Sequence, residues 1–179
     1  MFLRLGLSFT LLSSLLFTLA QPSCESLIVA WEEATADAQS YSDVITVTRK
    51  NSGNELLYQE GKHYRKEGEL VREVVSERSA LPFPIPPRGE REEENDGGAE
   101  AFCEGASVSP LDNGDWFISI VDNDSGLNNW RLTFSKVRDR YVPILVEGDF
   151  DVDILVFSLE GSFSTEFKDW VFVPNPEER

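Results

Sequence analysis

The chain has 179 residues, of which 41% are hydrophobic and 11% aromatic, and 16 basic against 32 acidic side chains give a formal net charge of −16. This hydrophobic fraction excludes a disordered acidic chain and predicts a folded core. The negative charge argues against nucleic acids and anionic lipid headgroups, which are bound through Lys and Arg clusters. With one histidine, His63, a zinc site built on several imidazoles is excluded.

The first twenty residues have the pattern of a secretory signal peptide. A basic start at Arg4 precedes an apolar stretch, and Thr18-Leu19-Ala20 forms a small-x-small cleavage site. The stretch is shorter than the about 20 apolar residues that span a membrane. We therefore predict a signal peptide over 1–20, a single β-rich domain over 21–179, and a soluble periplasmic or secreted protein.

The two cysteines, Cys24 and Cys103, favour the same compartment. An exported protein meets oxidising conditions, so we predict that they form a disulfide. Two alternatives stay open at this point, namely lipidation of Cys24 and two free thiols. The residues before Cys24, Gln-Pro-Ser, are a poor match to a lipoprotein cleavage motif.

The elements that follow are one helix and a series of strands. Ser23 is an N-cap candidate, and apolar residues at 27, 30, 31, 34 and 38 predict an amphipathic helix from about Cys24 to Ser40. Residues 160–162, with a glycine at the centre, are among the predicted turns. The predicted strands are 44–48, 55–66, 69–78, 115–121, 130–136, 141–147, 152–159 and 167–173. One helix before many short strands predicts a mainly β (α+β) fold, with a curved antiparallel sheet or unclosed half-barrel packed against the N-terminal helix.

Residues 81–100 interrupt the strands. Four prolines lie at 82, 84, 86 and 87, and an acidic block follows them. Prolines remove ladder donors and the acidic block resists burial, which predicts a solvated loop. The alternative is a polyproline ligand for the aromatic groove of a partner.

No motif selects a chemistry. Asp149, Asp151 and Asp153 are weak calcium candidates, because a strand presents their carboxylates in a row on one face and a solvated outer face explains them as well. Residues 122–126 begin like a calcium loop but lack the glycine and glutamate at the required spacing. A hydrolase would depend on His63, and no serine lies in a nucleophile-elbow motif. We expect no enzyme activity and no cofactor.

The order of elements resembles the periplasmic lipoprotein-carrier (LolA/LolB-like) superfamily. The resemblance rests on the export signal and amphipathic helix, followed by the strand sequences YSDVITVTR at 41–49 and YRKEGELVRE at 64–73. It implies an unclosed half-barrel that holds acyl chains on its concave face, and membrane-associated donor and acceptor proteins as partners. The position that lid helices take in such carriers is occupied here by the proline-rich stretch at 81–100.

The predicted function is therefore a non-enzymatic carrier or binding protein for a hydrophobic ligand, a lipid or a lipidated protein. The alternative is an extracytoplasmic protein-interaction domain without a small ligand, and a hydrolase dependent on His63 is the third possibility. A fatty ligand needs a concave apolar surface. The candidate lining residues are Trp31, Trp116, Trp130, Leu132, Phe134, Phe150 and Phe157.

Overall fold

The structure is a computed structural model, and it describes residues 21–80, 98–121, 127–154 and 157–173. These residues form two helices and eight strands. The helices are α1 (Cys24–Asp37) and α2 (Gly98–Phe102). The strands are β1 (Ala38–Arg49), β2 (Glu55–Lys66), β3 (Glu69–Ser79), β4 (Ser107–Pro110), β5 (Trp116–Ile120), β6 (Leu127–Val137), β7 (Arg140–Ile154) and β8 (Phe157–Phe172). The predicted signal peptide and residues 81–97 of the predicted loop lie outside the described residues.

The described strands form one antiparallel sheet in the order β3-β2-β1-β8-β7-β6-β5-β4. The sheet is an unclosed half-barrel, so the predicted mainly β fold class is confirmed. Within β1–β3 and within β4–β8, each strand pairs with its neighbour in the chain, and the pairing of β1 with β8 joins the two groups. β3 and β4 are the edge strands.

Helix α1 begins where the sequence predicts and ends earlier. The hydroxyl of Ser23 accepts a hydrogen bond from the backbone N–H of Ser26 at 3.2 Å, which satisfies one of the unpaired N–H groups of the first turn. The predicted end at Ser40 is wrong, because Ala38 is already extended and pairs with Phe172 of β8. Long-range strand pairing thus overrides the helical periodicity of the sequence.

Strands β7 and β8 are both longer than the predicted strands 141–147, 152–159 and 167–173, and a glycine lies within each of them. The predicted turn at 160–162 is wrong, since these residues lie within β8 and pair with β7. A Cβ atom on Gly161 would lie 2.3 Å from the Phe150 ring, and one on Gly148 would lie 2.6 Å from the Phe163 ring. Each glycine therefore gives room for an aromatic ring of the neighbouring strand.

Two short elements were not predicted. Gly98–Phe102 forms α2, so the predicted loop ends before Gly98 instead of at Glu100. Ser107–Pro110 forms the edge strand β4, which pairs with β5. Neither is long enough for a hydrophobic periodicity to be recognised.

The main core cluster contains residues from α1 and from the sheet. Leu27 and Ile28 of α1 belong to the same buried cluster as Ile118, Leu132 and Phe134. Leu132 and Phe134 are fully buried, whereas the residues between and beside them in β6 are partly exposed. In the sequence, Leu132 and Phe134 alternate with Arg131, Thr133 and Ser135, which predicts one dry and one wet face for this strand, and the burial of β6 agrees with that prediction.

The predicted disulfide between Cys24 and Cys103 is present, and neither cysteine is free. It joins the first residue of α1 to the residue that follows α2, across a sequence separation of 79. Both cysteines belong to the main core cluster. In the part of the chain that the structure describes, no helix is long and apolar enough to cross a membrane.

Candidate ligand-binding cavity

A cavity of about 620 Å³ lies between α1, α2 and the β2–β3 hairpin. Its apolar lining comes from Ile28 and Trp31 of α1, Leu70 of β3, and Ala99 and Phe102 of α2. Ligand pockets are commonly about 300–1,000 Å³ and mostly apolar. The size and the lining of this cavity are therefore suited to a small apolar or amphiphilic molecule.

The two large rings of the lining are held by aromatic neighbours in the core. Trp31 meets Phe134 and Phe167 edge to face, with ring centroids 6.4 Å and 5.9 Å apart. Phe102 meets Trp130 edge to face at 6.0 Å. Edge-to-face contacts at these distances are favourable, so the core fixes the positions of both rings before any ligand enters.

The polar part of the lining centres on Arg65 of β2. Its guanidinium donates to the backbone carbonyls of Ala38 at 3.1 Å, Gly68 at 2.8 Å and Thr35 at 3.4 Å, and also to that of Ala36. The last carbonyls of a helix have no partners within the helix, and a cation near them is stabilising. Arg65 therefore fixes the end of α1 against the β2–β3 hairpin and forms part of the cavity wall.

Of the predicted lining residues whose side chains the structure describes, Trp31 alone lies in the lining of this cavity. Leu132 and Phe134 are fully buried in the core. Trp116 and Trp130 are half-buried and pack against the same core cluster, and the ring of Phe150 lies over Gly161. The side chain of Phe157 lies outside the described residues.

Sequence reasoning missed Ile28, Arg65, Leu70 and Phe102 as lining residues. Alternation in the strand sequence shows that Arg65 and His63 share a face, and the hairpin register places Leu70 opposite Arg65. Nothing in the sequence indicates that α2 covers this face, because α2 lies at the end of a proline-rich, acidic stretch. The cavity thus depends on contacts between elements far apart in the chain.

A buried ion pair lies on the same face of the sheet as Arg65. Asp43 of β1 is only 4% exposed. Arg72 of β3 donates to both carboxylate oxygens of Asp43, from Nε to Oδ2 at 3.0 Å and from its terminal nitrogen Nη2 to Oδ1 at 3.1 Å. Arg72 also donates to Gln59 Oε1 at 2.6 Å. Bidentate pairing of this kind is strong and geometrically specific.

Gly61 makes room for this pair, because a Cβ atom there would lie 2.1 Å from Asp43 Oδ1 and 2.6 Å from Arg72 Nε. His63 Nε2 lies 3.5 Å from Asp43 Oδ2 without the alignment of a hydrogen bond, and its ring stacks on Tyr41 at 4.1 Å. Burial raises the pKa of Asp43, but its contacts with His63 and Arg72 lower it by more, so the net shift is below the ordinary value of 3.8. Asp43 is thus held ionised inside the fold.

The surroundings of His63 give no support to a serine nucleophile. The contacts found for its ring within the described residues are with Asp43 and Tyr41, and no serine hydroxyl is among them. The cation that pairs with Asp43 is Arg72.

The calcium candidates lie on β7. Asp149 Oδ2 accepts a hydrogen bond from Asn129 Nδ2 at 3.1 Å. The residues that the structure describes include no group of three or more His, Cys, Asp or Glu side chains able to hold a metal ion. The side chain of Asp153 and the loop at 122–126 lie outside the described residues.

Comparison with known proteins assigns no family to the chain. No protein-family model matches the chain, and no curated protein matches it either.

Proposed function

We propose that the protein is an exported, non-enzymatic carrier that binds a hydrophobic ligand, a lipid or a lipidated protein, in the cavity between α1, α2 and the β2–β3 hairpin. The observation that supports this proposal is the volume of about 620 Å³ with a lining that is mostly apolar. The partners proposed with this function are membrane-associated donor and acceptor proteins in the periplasm or outside the cell.

The rings of the lining also support binding rather than collapse. Trp31 contacts the rings of Phe134 and Phe167, and Phe102 contacts the ring of Trp130. Filling the cavity by movement of these rings would break those contacts. A preformed apolar pocket of this kind binds ligand without first reorganising the protein.

The proposal is tested by blocking the cavity from an exposed position. Ala36 lines the cavity and is exposed, so Ala36→Trp should fill space without disturbing the core. The neutral fluorophore N-phenyl-1-naphthylamine should bind the wild-type protein at one site, and the variant should lose at least tenfold in affinity. Ala101→Trp is the matched control, because Ala101 is exposed on α2 and is not part of the cavity lining.

Two results would contradict the proposal. One is folded wild-type protein with no saturable binding of the fluorophore. The other is an equal loss of affinity in both variants, which would place the fluorophore outside the cavity. Mass spectrometry of native protein after solvent extraction should independently detect bound acyl chains.

One observation favours the second candidate function, an interaction domain. The edge strand β3 carries Val74 and Val75, which are 46% and 53% exposed. Edge strands present unpaired backbone groups to which a partner strand can add. Native protein that lacks any extractable lipid, together with Ala36→Trp protein that keeps full fluorophore binding, would favour this candidate over the carrier.

A further inference from the structure

Arg65 differs in its partners from four of the other described arginines. Arg72, Arg78, Arg131 and Arg140 each lie within ion-pair distance of a carboxylate. In the described part of the chain, the hydrogen bonds of Arg65 go to backbone carbonyls instead. Among the described residues, no carboxylate lies within ion-pair distance of this half-buried cation.

Those carbonyls offset only part of the charge of Arg65. The end of a helix carries the equivalent of about half a negative charge, which is less than the unit positive charge of the guanidinium. A guanidinium has five N–H hydrogens, and the four bonds to carbonyls use at most four of them. Glu32, the acidic residue of the lining, is exposed to water, which screens its charge.

The polar and apolar parts of the cavity lie side by side. Leu70 is the direct partner of Arg65 in the β2–β3 register. Ile28, Trp31 and Phe102 complete the apolar lining. A molecule with a hydrocarbon tail against these side chains would place its head group next to the guanidinium.

We infer that the ligand is a single-chain amphiphile with an anionic head group, and that Arg65 binds this head while the tail occupies the apolar part of the cavity. The inference rests on the proposed function and narrows it from hydrophobic ligands in general to those with a carboxylate-type head. Arg65 also positions the end of α1, so the experiment has to separate the two roles.

The experiment compares three ligands with the same tail and different heads, namely dodecanoate, dodecanol and dodecylamine. Each is tested for displacement of N-phenyl-1-naphthylamine from the protein at neutral pH, at concentrations below the micelle-forming concentration of the two charged ligands and below the solubility limit of dodecanol. For the wild-type protein we expect dodecanoate to bind at least tenfold more tightly than dodecanol, and dodecylamine to bind more weakly than both. Arg65→Met should abolish the preference for dodecanoate, so that the ratio of the dodecanoate and dodecanol affinities measured in this variant falls to about 1.

Two further variants separate charge from structure. Arg65→Lys retains the cation and should retain the preference. Arg78→Met is the matched control, because Arg78 pairs with Glu55 on an exposed part of the sheet and its loss changes the net charge equally. In Arg78→Met, the ratio of the dodecanoate affinity to the dodecanol affinity should stay at the wild-type value.

The outcomes distinguish the inference from the proposed function. Wild-type protein that binds no ligand of the series overturns both. Wild-type protein that binds dodecanol and dodecanoate equally, or Arg65→Met protein that keeps the preference, overturns the inference alone. If Arg65→Met does not fold, the ratio of the dodecanoate and dodecanol affinities is measured for the wild-type protein at about 0.01 M and about 1 M salt. Over this range the length over which salt screens charges falls from roughly 30 Å to roughly 3 Å. A ratio unaffected by salt then overturns the inference.

Discussion

Removing the Cys24–Cys103 disulfide should lower the stability of the fold and also weaken ligand binding. The bond joins α1 to the residue after α2, and these two helices form facing parts of the cavity wall. Helix α2 has five residues, none of them buried. Its position therefore depends on the disulfide, on the packing of Ala99 against the core and on the contact of Phe102 with Trp130.

The magnitude of the stability loss follows from the length of the closed loop. For a sequence separation of 79, the chain-entropy model gives about 4 kcal/mol of stabilisation, since the bond restricts the unfolded chain. Single domains are commonly stable by about 5–15 kcal/mol. The protein without the disulfide should thus still fold at room temperature, but with a reduced margin.

The measurement uses Cys24→Ala/Cys103→Ala, which leaves no lone thiol. Urea unfolding followed by tryptophan fluorescence gives the free energy of unfolding, and titration with the neutral fluorophore gives the affinity. We expect the midpoint to fall and the affinity to drop at least tenfold in protein that circular dichroism shows to be folded. The control is a dithiol reductant, which should reproduce both effects in the wild type and change nothing in the double variant.

Two results would refute this reasoning. A loss of less than about 1 kcal/mol would show that the disulfide does not act through the entropy of the unfolded chain. A folded double variant with wild-type affinity would show that α2 keeps its place without the bond.

Changes in the core and at the buried ion pair should affect stability. Leu132→Glu places an unpaired carboxylate at a fully buried position, which costs several kcal/mol of folding free energy. Circular dichroism should therefore show unfolded protein, and a folded variant would contradict the packed core. Gly61→Ala places a Cβ atom against Asp43 and Arg72 and should cost about 3 kcal/mol in urea unfolding, whereas an unchanged midpoint would show that the pair can shift. The pKa of Asp43 is lower in the folded protein than its ordinary value of 3.8. Ionised Asp43 therefore stabilises the fold fully above about pH 3.8, and this stabilisation is lost as the pH falls through the pKa of the folded state. Asp43→Asn should therefore be less stable than wild type at neutral pH and lose less on acidification, and parallel pH profiles would contradict this.

The elements that the sequence predicts well are those with local signals. Ser23 begins α1 through a side-chain bond to a residue three positions later, and the alternation around Leu132 identifies the buried face of β6. The disulfide also follows from sequence, because two cysteines allow one pairing and the apparent export signal favours an oxidising compartment.

The features that sequence reasoning missed depend on distant partners. The end of α1 is set by pairing of Ala38 with Phe172, and Gly161 continues a strand because Phe150 lies above it. The cavity position was missed for the same reason. Its wall combines Arg65, whose role depends on the end of α1, with Phe102 of a helix too short to be recognised.

The central pairing of β1 with β8 has a consequence for the order of folding. The two groups of strands can each form from neighbouring segments, but their junction joins residues near opposite ends of the described chain, such as Ala38 and Phe172. Contacts of such high sequence separation slow folding, because the ends of a long loop must meet first. Until β8 arrives, β1 is an open edge able to pair with the wrong chain. We therefore expect a newly made chain to be prone to aggregation until β8 is complete, and holding it unfolded until then would favour the correct half-barrel.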